Sequence, residues 1–224
     1  MSDIRIAFYG GSFDPPHLGH MAVADALLKQ FELDEFVFVP AFHAPHKKGR
    51  PPTPAYDRFA MLCLATQKEA AQSVSRIEIE MPEKPYSVET LARIIEMLPK
   101  AEIFFVMGAD SWMDITTWKD WQTVLTISNH IVVTRPGVKI GFDHVTDEIR
   151  ERIVDLREGR GVFRSGGEIG TGGRGGNRIF FTDAVNVDLS ATEVRQQIRD
   201  GVDSWRHDVP VEVANYIEKY QIYT

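Results

Sequence analysis

Two hydrophobic rhythms alternate along the chain. Ile4-Arg5-Ile6-Ala7-Phe8-Tyr9 is a short apolar run of strand type, and Leu18 to Phe31 carries helical spacing. Glu35 to Pro40 reads as a second, buried strand, Ala55 to Ala71 as a helix, and Ser75 to Met81 alternates like a strand. Ser87 to Leu98 is a predicted helix and Ala101 to Met107 a predicted buried strand ending at Gly108. Short helices are expected at Ser111–Ile115 and Trp118–Leu125, then a strand at His130–Thr134 closed by Arg135-Pro136-Gly137. Asp143 to Arg157 looks helical, and Arg178 to Thr182 is a late strand. Strands separated by helical crossovers predict an α/β fold with a doubly wound parallel sheet. Ligands on such sheets sit at the carboxyl ends of the strands. There is no internal repeat.

Two segments stand outside this rhythm. Ala41 to Pro54 is proline-rich and basic, with His43, His46, Lys47, Lys48 and Arg50, and reads as a mobile loop. Residues 158–177 hold nine of the 17 glycines, with Arg160, Arg164, Arg174 and Arg178 nearby. A flexible surface insertion is the favoured reading there. A phosphate-contacting lid is the other, but no spacing in the segment matches a P-loop.

Length, charge and cysteine content narrow the classes. A chain of 224 residues is one domain, or one with an appended subdomain, and it can bury a sizeable core. A net charge of -7 argues against general nucleic-acid binding, which usually needs a basic surface. The single cysteine, Cys63, excludes an internal disulfide and reads as core. The N-terminus lacks a signal-peptide pattern, and no apolar run approaches membrane-spanning length. The expectation is a soluble, cytoplasmic protein without nucleic-acid or membrane partners.

The run Gly10-Gly11-Ser12-Phe13-Asp14-Pro15-Pro16-His17-Leu18-Gly19-His20 lies between the first strand and the first helix. A glycine-rich turn in that place can hold phosphates, because the backbone approaches the ligand closely and the helix start offers free N–H groups. His17 and His20 are three residues apart, so both imidazoles share one face of the helix start. Imidazole can donate to a phosphoryl oxygen and titrates near neutral pH. Two other readings exist: the histidines only cap or pack the helix, or, because His43 and His46 repeat the spacing, the four histidines hold zinc. Zinc would need a closed ligand set, and no other residues in the chain have metal spacing.

Asp188-Leu189-Ser190-Ala191-Thr192-Glu193-Val194-Arg195 is the second chemical signal. Ser190 and Glu193 form a capping box, so a helix should start here, and Asp200-Gly201 should stop it. Capping alone accounts for Ser190. A helix start with hydroxyls and an arginine one turn in also suits phosphate.

His17-Leu18-Gly19-His20 resembles the HxGH motif of the nucleotidyltransferase superfamily. The fuller Gly-Ser-Phe-Asp-Pro-Pro-His-Leu-Gly-His looks like its nicotinate mononucleotide adenylyltransferase branch. Residues 189–195 resemble that family's I-S-[ST]-T-x-[IV]-R element, with Leu189 for Ile and Ala191 for a hydroxyl residue. Pro85-Tyr86-Ser87-Val88-Glu89-Thr90-Leu91 resembles its S-Y-T-x-x-T-L segment, and Thr117-Trp118 its T-W segment. The likeness runs from Ile4 to about Tyr223, and the glycine-rich segment is the main departure.

The resemblance implies a Rossmann-like nucleotidyltransferase fold over residues 1–224, with residues 158–177 as an insertion and residues 190–224 as a small C-terminal helical part. It implies adenylyl transfer from ATP, with Mg²⁺, to nicotinate mononucleotide. His17 and His20 would be catalytic. Gly10, Gly11, Ser12, Phe13, Gly108, Asp110, Ser190, Thr192 and Arg195 would bind ATP. Ser87 would offer an amide to the nicotinate carboxylate, Trp118 would stack on the pyridine ring, and Arg135, His46 and Lys47 would be supporting contacts. No protein metal ligand is implied, and a homo-oligomer is compatible with the likeness. For several residues a structural role is the alternative: Asp110 as a helix N-cap, Trp118 as core, Arg135 as a turn-side charge. Trp121 reads as core.

Three rival readings remain at this level. One is a related transferase with another acceptor: phosphopantetheine, nicotinamide mononucleotide or a cytidylyl-transfer substrate. The others are a nucleotide-binding regulator without turnover and a zinc module. Product analysis separates the first two from the expected activity, and metal analysis separates the third.

Overall fold

The computed structural model describes residues 4–42, 53–81, 83, 85–134, 140–157, 176–185, 187 and 189–224. Seven strands form one sheet in the order β3-β2-β1-β4-β5-β7-β6, every neighbouring pair parallel. They are β1 Ile4–Gly11, β2 Glu35–Pro40, β3 Gln72–Val74, β4 Ala101–Gly108, β5 Asn129–Val133, β6 Ile153–Asp155 and β7 Ile179–Thr182. Helices cross between them: α1 Leu18–Gln30, α2 Ala55–Thr66, α3 Ser87–Met97, α4 Ala109–Met113, α5 Trp121–Ile127 and α6 Asp147–Arg150. The chain ends in α7 Ala191–Arg199, a 3₁₀ turn Asp203–His207 and α8 Val211–Tyr220.

The two-residue period of the strands sorts their side chains into two cores. Ile6, Phe8, Ile103, Phe105, Met107, Val132 and Phe181 face the side covered by α3, α4 and α5. Ala7, Phe36, Phe38, Phe104, Val106, Ile131 and Phe180 face the side covered by α1, with Val23, Ala24 and Leu27. Strands buried on both faces read as near-continuous apolar runs, as Phe36–Val39 of β2 and Ile103–Met107 of β4 do. A third core joins Met61 of α2 to Val194, Trp205, Val213 and Ile217. The C-terminal helices are therefore anchored to α2.

The strand order reverses direction at β1. From β1 the chain moves outward through β2 and β3, then returns to β4 on the other side. β1 and β4 are neighbours, with Tyr9 opposite Val106. Their carboxyl ends form the crevice where doubly wound sheets hold ligands. Gly10 and Gly11 lie at one lip and Gly108 at the other.

Four segments differ from the sequence expectation. The expected helix to Ala71 ends at Thr66, because β2 needs the following residues: Phe36 N donates to Ala71 O and Gln72–Val74 pairs with Phe36–Phe38. The expected strand Ser75–Met81 is a turn, in which Ile77 N donates to Ser75 Oγ at 3.2 Å and Glu80 N to Arg76 O at 3.0 Å. The alternating Ile77 and Ile79 pack into the core from that turn. The expected helix Asp143–Arg157 splits: only Asp147–Arg150 is helical, while Ile153-Val154-Asp155 pairs with Ile179–Phe181 as the outermost strand. The pairing gives β-branched Ile153 and Val154 their preferred conformation. Between β4 and β5, a 3₁₀ turn at Ile115–Thr117 precedes α5, which starts three residues later than Trp118. His43 and residues 158–175 of the glycine-rich segment lie outside the described residues.

Candidate active site

The crevice is built from the β1–α1 loop upward. Phe13 has φ +48, a left-handed conformation uncommon for a residue with a Cβ. Its ring is buried edge-on against Tyr9 (centroids 5.4 Å apart) and His20 (5.0 Å). Gly11 makes room for it, since a Cβ there would stand 2.9 Å from Phe13 Cζ. The loop therefore turns its main chain, rather than the Phe13 side chain, to the crevice.

His17 is the N-cap of α1 and His20 is its third residue. The rings stack, with centroids 3.6 Å apart and planes at 27°. His20 Nδ1 accepts a hydrogen bond from the His17 main-chain N–H at 3.1 Å. An accepting Nδ1 leaves the proton of the neutral ring on Nε2. Protonating Nδ1 would destroy that bond. Burial, and secondarily the neighbouring His17, push the His20 pKa well below its ordinary value. At neutral pH His20 is an uncharged ring whose donor is Nε2. Gly19 between them leaves room for the His17 ring: a Cβ would stand 3.0 Å from His17 Cε1 and Nδ1, and the ring would have to shift.

α7 opens beside this loop. Leu189 Cβ would lie 3.6 Å from a Cβ on Gly19. Ser190 caps α7, its Oγ accepting from Thr192 N at 3.3 Å. The cap reaches the second helical residue, not Glu193 as a capping box requires. Arg195 Nη1 donates to Asp14 O, and Nη2 to Thr192 Oγ1 at 3.3 Å. The helix stops at Asp200, with Gly201 in the left-handed region at φ +67. Two helix N-termini, two imidazoles and a guanidinium thus meet at one strand end. Each favours anionic oxygens.

The second flank is built by α3 and the residues before α5. Ser87 is the first residue of α3, and Tyr86 N donates to Glu89 Oε2 at 3.0 Å. Trp118 is half-buried and packs on the core next to the equally half-buried Trp121. Lys119 Nζ donates to Glu89 Oε1 at 2.9 Å and lies 4.4 Å from the centroid of the Tyr86 ring. That exposed ion pair bridges the Ser87 and Trp118 segments. Asp110 lies exposed in the first turn of α4, whose N-cap is Gly108. The N-cap alternative for Asp110 is therefore incorrect: the chain enters the helix at Gly108, two residues earlier. Arg135, His46 and Lys47 lie outside the described residues, as does Asp188.

Among the described residues no group of three or more His, Cys, Asp or Glu is placed to hold a metal ion. No helix of the described residues is long and apolar enough to cross a membrane.

The cytidylyltransferase-like family model matches residues 8–197, which contain both motifs. A probable nicotinate-nucleotide adenylyltransferase of Desulfatibacillum aliphaticivorans is 32% identical over 98% of this chain and all of that protein. One from Thermus thermophilus is 33% identical over 98% of this chain and all of its own length. The chain belongs to the nicotinate-nucleotide adenylyltransferase branch of the cytidylyltransferase-like family. The fold agrees. The Plasmodium falciparum nicotinic acid mononucleotide adenylyltransferase complexed with NaAD superposes with a TM-score of 0.67 at 18% identity, over 98% of this chain and 97% of that one.

Two residues beside this crevice, Arg58 and Tyr223, carried no role in the sequence reading. Arg58, wholly buried, donates to Ser12 O and Ala41 O at 2.6 Å, to Thr53 O at 2.9 Å and to Phe42 O at 3.3 Å. Burial lowers its pKa, while Asp14, Tyr223 and Glu78 act against that fall. Tyr223 Oη donates to Asp14 Oδ1 at 2.7 Å. A signal for Arg58 existed: an arginine on the same helical stripe as Met61 and Leu62 sits where an apolar residue belongs. For Tyr223 there was none.

Proposed function

We propose that this chain transfers the adenylyl group of ATP to nicotinate mononucleotide, giving nicotinate adenine dinucleotide and pyrophosphate. The observation that carries the reading is the Arg195–Asp14 contact, which joins the α7 start to the histidine loop in one anion-binding corner. The 5′-phosphate of the acceptor attacks the α-phosphorus of ATP in line. A bond forms from that phosphate oxygen to the α-phosphorus as the bond to the bridging oxygen breaks, and pyrophosphate leaves with the electron pair. The nucleophile is already an anion, so no general base is needed, and catalysis is positioning plus charge stabilisation.

In this reading His20 donates through Nε2 to an α-phosphoryl oxygen, with His17 beside it on the triphosphate. Gly10, Gly11, Ser12 and Phe13 offer main-chain contacts. Ser190, Thr192 and Arg195 grip the β- and γ-phosphates, and Gly108 and Asp110 lie by the adenosine. Ser87 faces the nicotinate carboxylate and Trp118 the pyridine ring, with Arg135, His46 and Lys47 as further contacts. A divalent cation, Mg²⁺ in this proposal, neutralises phosphate charge when bound. The donor set fits a cation carried by phosphate oxygens and water, since imidazole and guanidinium dominate the corner and Asp14 is engaged by Tyr223. We place the reaction in the cytoplasm, without a nucleic-acid partner.

The test is incubation with ATP, Mg²⁺ and either nicotinate or nicotinamide mononucleotide, measuring dinucleotide and pyrophosphate. Product mainly from the nicotinate nucleotide is expected. Equal use of both would overturn the acceptor assignment and keep adenylyl transfer. No product from either would overturn the function.

A further inference from the structure

We propose that Arg58 and Tyr223 are positioning residues for adenylyl transfer, holding the Ser12–Asp14 loop from two sides so that its main-chain donors meet the phosphates in one geometry. This rests on the reading that ATP binds against that loop.

The loop does not hold itself. Phe13 sits at φ +48, and such conformations persist only where the surroundings over-determine them. Arg58 supplies the first restraint. Its guanidinium donates at 2.6 Å to the carbonyl of Ser12. The Ser12–Phe13 peptide is trans, so its N–H points opposite to its C=O. Fixing the Ser12 carbonyl toward α2 therefore aims the Phe13 N–H the other way, away from α2. The same guanidinium holds the carbonyls of Ala41 and Phe42, where the chain leaves β2. One side chain thus continues, beyond the last paired residues Gly11 and Pro40, the connection between the end of β1 and the end of β2. The two ends carry, in the proposed reading, the ATP loop and the start of the acceptor-side loop. A lysine has the charge but not the planar fork that meets carbonyls of separate segments at once.

Tyr223 supplies the second restraint. It bonds the buried Asp14 carboxylate at 2.7 Å, while Arg195 bonds the carbonyl of the same residue. Asp14 is thereby held at its side chain from the chain's end and at its main chain from α7. Burying a guanidinium is costly, and an apolar residue would pack α2 as well. The polar atoms spent here converge on loop carbonyls and on Asp14, next to the catalytic histidines of the proposed reading.

The test uses Tyr223→Phe and Arg58→Lys in the full chain. Tyr223→Phe removes one hydroxyl and keeps the ring. It is expected to lower kcat about fivefold, with the acceptor KM within about twofold and the melting temperature within about 3 °C, the scale of one hydrogen bond. Arg58→Lys is expected to lower kcat at least about tenfold and to weaken ATP binding. A fall in melting temperature with unchanged kcat in both would make the two residues structural only and overturn the proposal. If Arg58→Lys does not fold, Tyr223→Phe decides alone. If the wild type makes no dinucleotide, affinity for ATP by calorimetry replaces kcat. Wild-type binding with an unchanged Tyr223→Phe affinity overturns this inference alone. No binding by the wild type overturns both it and the ATP reading.

Discussion

Arg195 donates through Nη1 to the main-chain carbonyl of Asp14, a residue 181 positions earlier. The bond pins the start of α7 to the loop that carries His17 and His20. Its partner nitrogen holds Thr192. Arg195→Ala removes both bonds and one charge from the proposed phosphate-binding corner. We expect kcat/KM for ATP to fall about a hundredfold, as for loss of one oriented charged donor. Arg195→Lys restores charge without the fork and should recover only part of it. Steady-state kinetics with saturating acceptor check both.

His20 should act as a neutral donor. Its Nδ1 is engaged by the His17 N–H, and burial holds its pKa well below the ordinary histidine value. Nitrogen-detected NMR of the free protein should show the Nε2–H tautomer unchanged from pH 8 down to about pH 6, the ordinary range of histidine titration. A doubly protonated ring at about pH 6.5, the ordinary midpoint, would overturn the assignment. His20→Ala should cost about a hundredfold or more in kcat.

Gly19→Ala separates packing from chemistry. The new Cβ would stand 3.0 Å from the His17 ring, so the ring has to shift by a few tenths of an ångström against its stacked partner His20. Alanine also gains helix propensity over glycine, up to about 1 kcal/mol, which offsets part of the strain. We expect a melting temperature near wild type and a kcat reduced about tenfold or more, on the scale of a misplaced catalytic group. A fully active variant would show that the stacked arrangement of the two rings is not needed.

Much of this fold was legible because its signals are local. The β1–α1 turn, its histidines and the α7 cap each lie within a dozen residues, and the short apolar runs of β2 and β4, rich in Phe, Val and Ile, favour strands. The misses were places where distant pairing overrode local pattern. Ile77 and Ile79 alternate like a strand, but β2 is already paired through Gln72–Val74. Residues 143–157 carry helical spacing, yet the free edge of β7 takes Ile153–Asp155. The Tyr223–Asp14 bond joins residues 209 apart and leaves no trace in either neighbourhood. Arg58 was visible only as a misfit on an apolar stripe, and its meaning required the loops it holds.

Trp118 and Ser87, the residues proposed to meet the acceptor, sit on segments bridged by the exposed Lys119–Glu89 pair, away from the histidine loop, so the proposed acceptor role can be tested apart from ATP. Trp118→Ala removes a flat aromatic face and should raise the acceptor KM about tenfold, the scale of one ring-stacking contact, with the ATP KM within about twofold. An unchanged acceptor KM would remove Trp118 from the pocket. Lys119→Met should move the same constant less, because the pair is exposed and such pairs are weak.

His130 gives a stability prediction independent of the site. It is wholly buried in β5, with Nδ1 3.1 Å from Ser128 O, while Nε2 has no hydrogen-bond partner among the described residues. Burial lowers its pKa to about 4. The unfolded chain takes up a proton near the ordinary value of about 6.5, whereas the folded one resists it. Between these two values the unfolded state binds more protons, so stability rises with pH there. This contribution is fully present above about pH 6.5 and is lost progressively as pH falls to about 4, an effect of about 3 kcal/mol from the difference in pKa. Urea unfolding at about pH 7 and about pH 4.5 should show that loss on top of the losses from other groups. In His130→Phe, which cannot titrate, the drop between the two pH values should shrink by most of that amount. An equal drop in both proteins would show that His130 carries no part of the acid sensitivity.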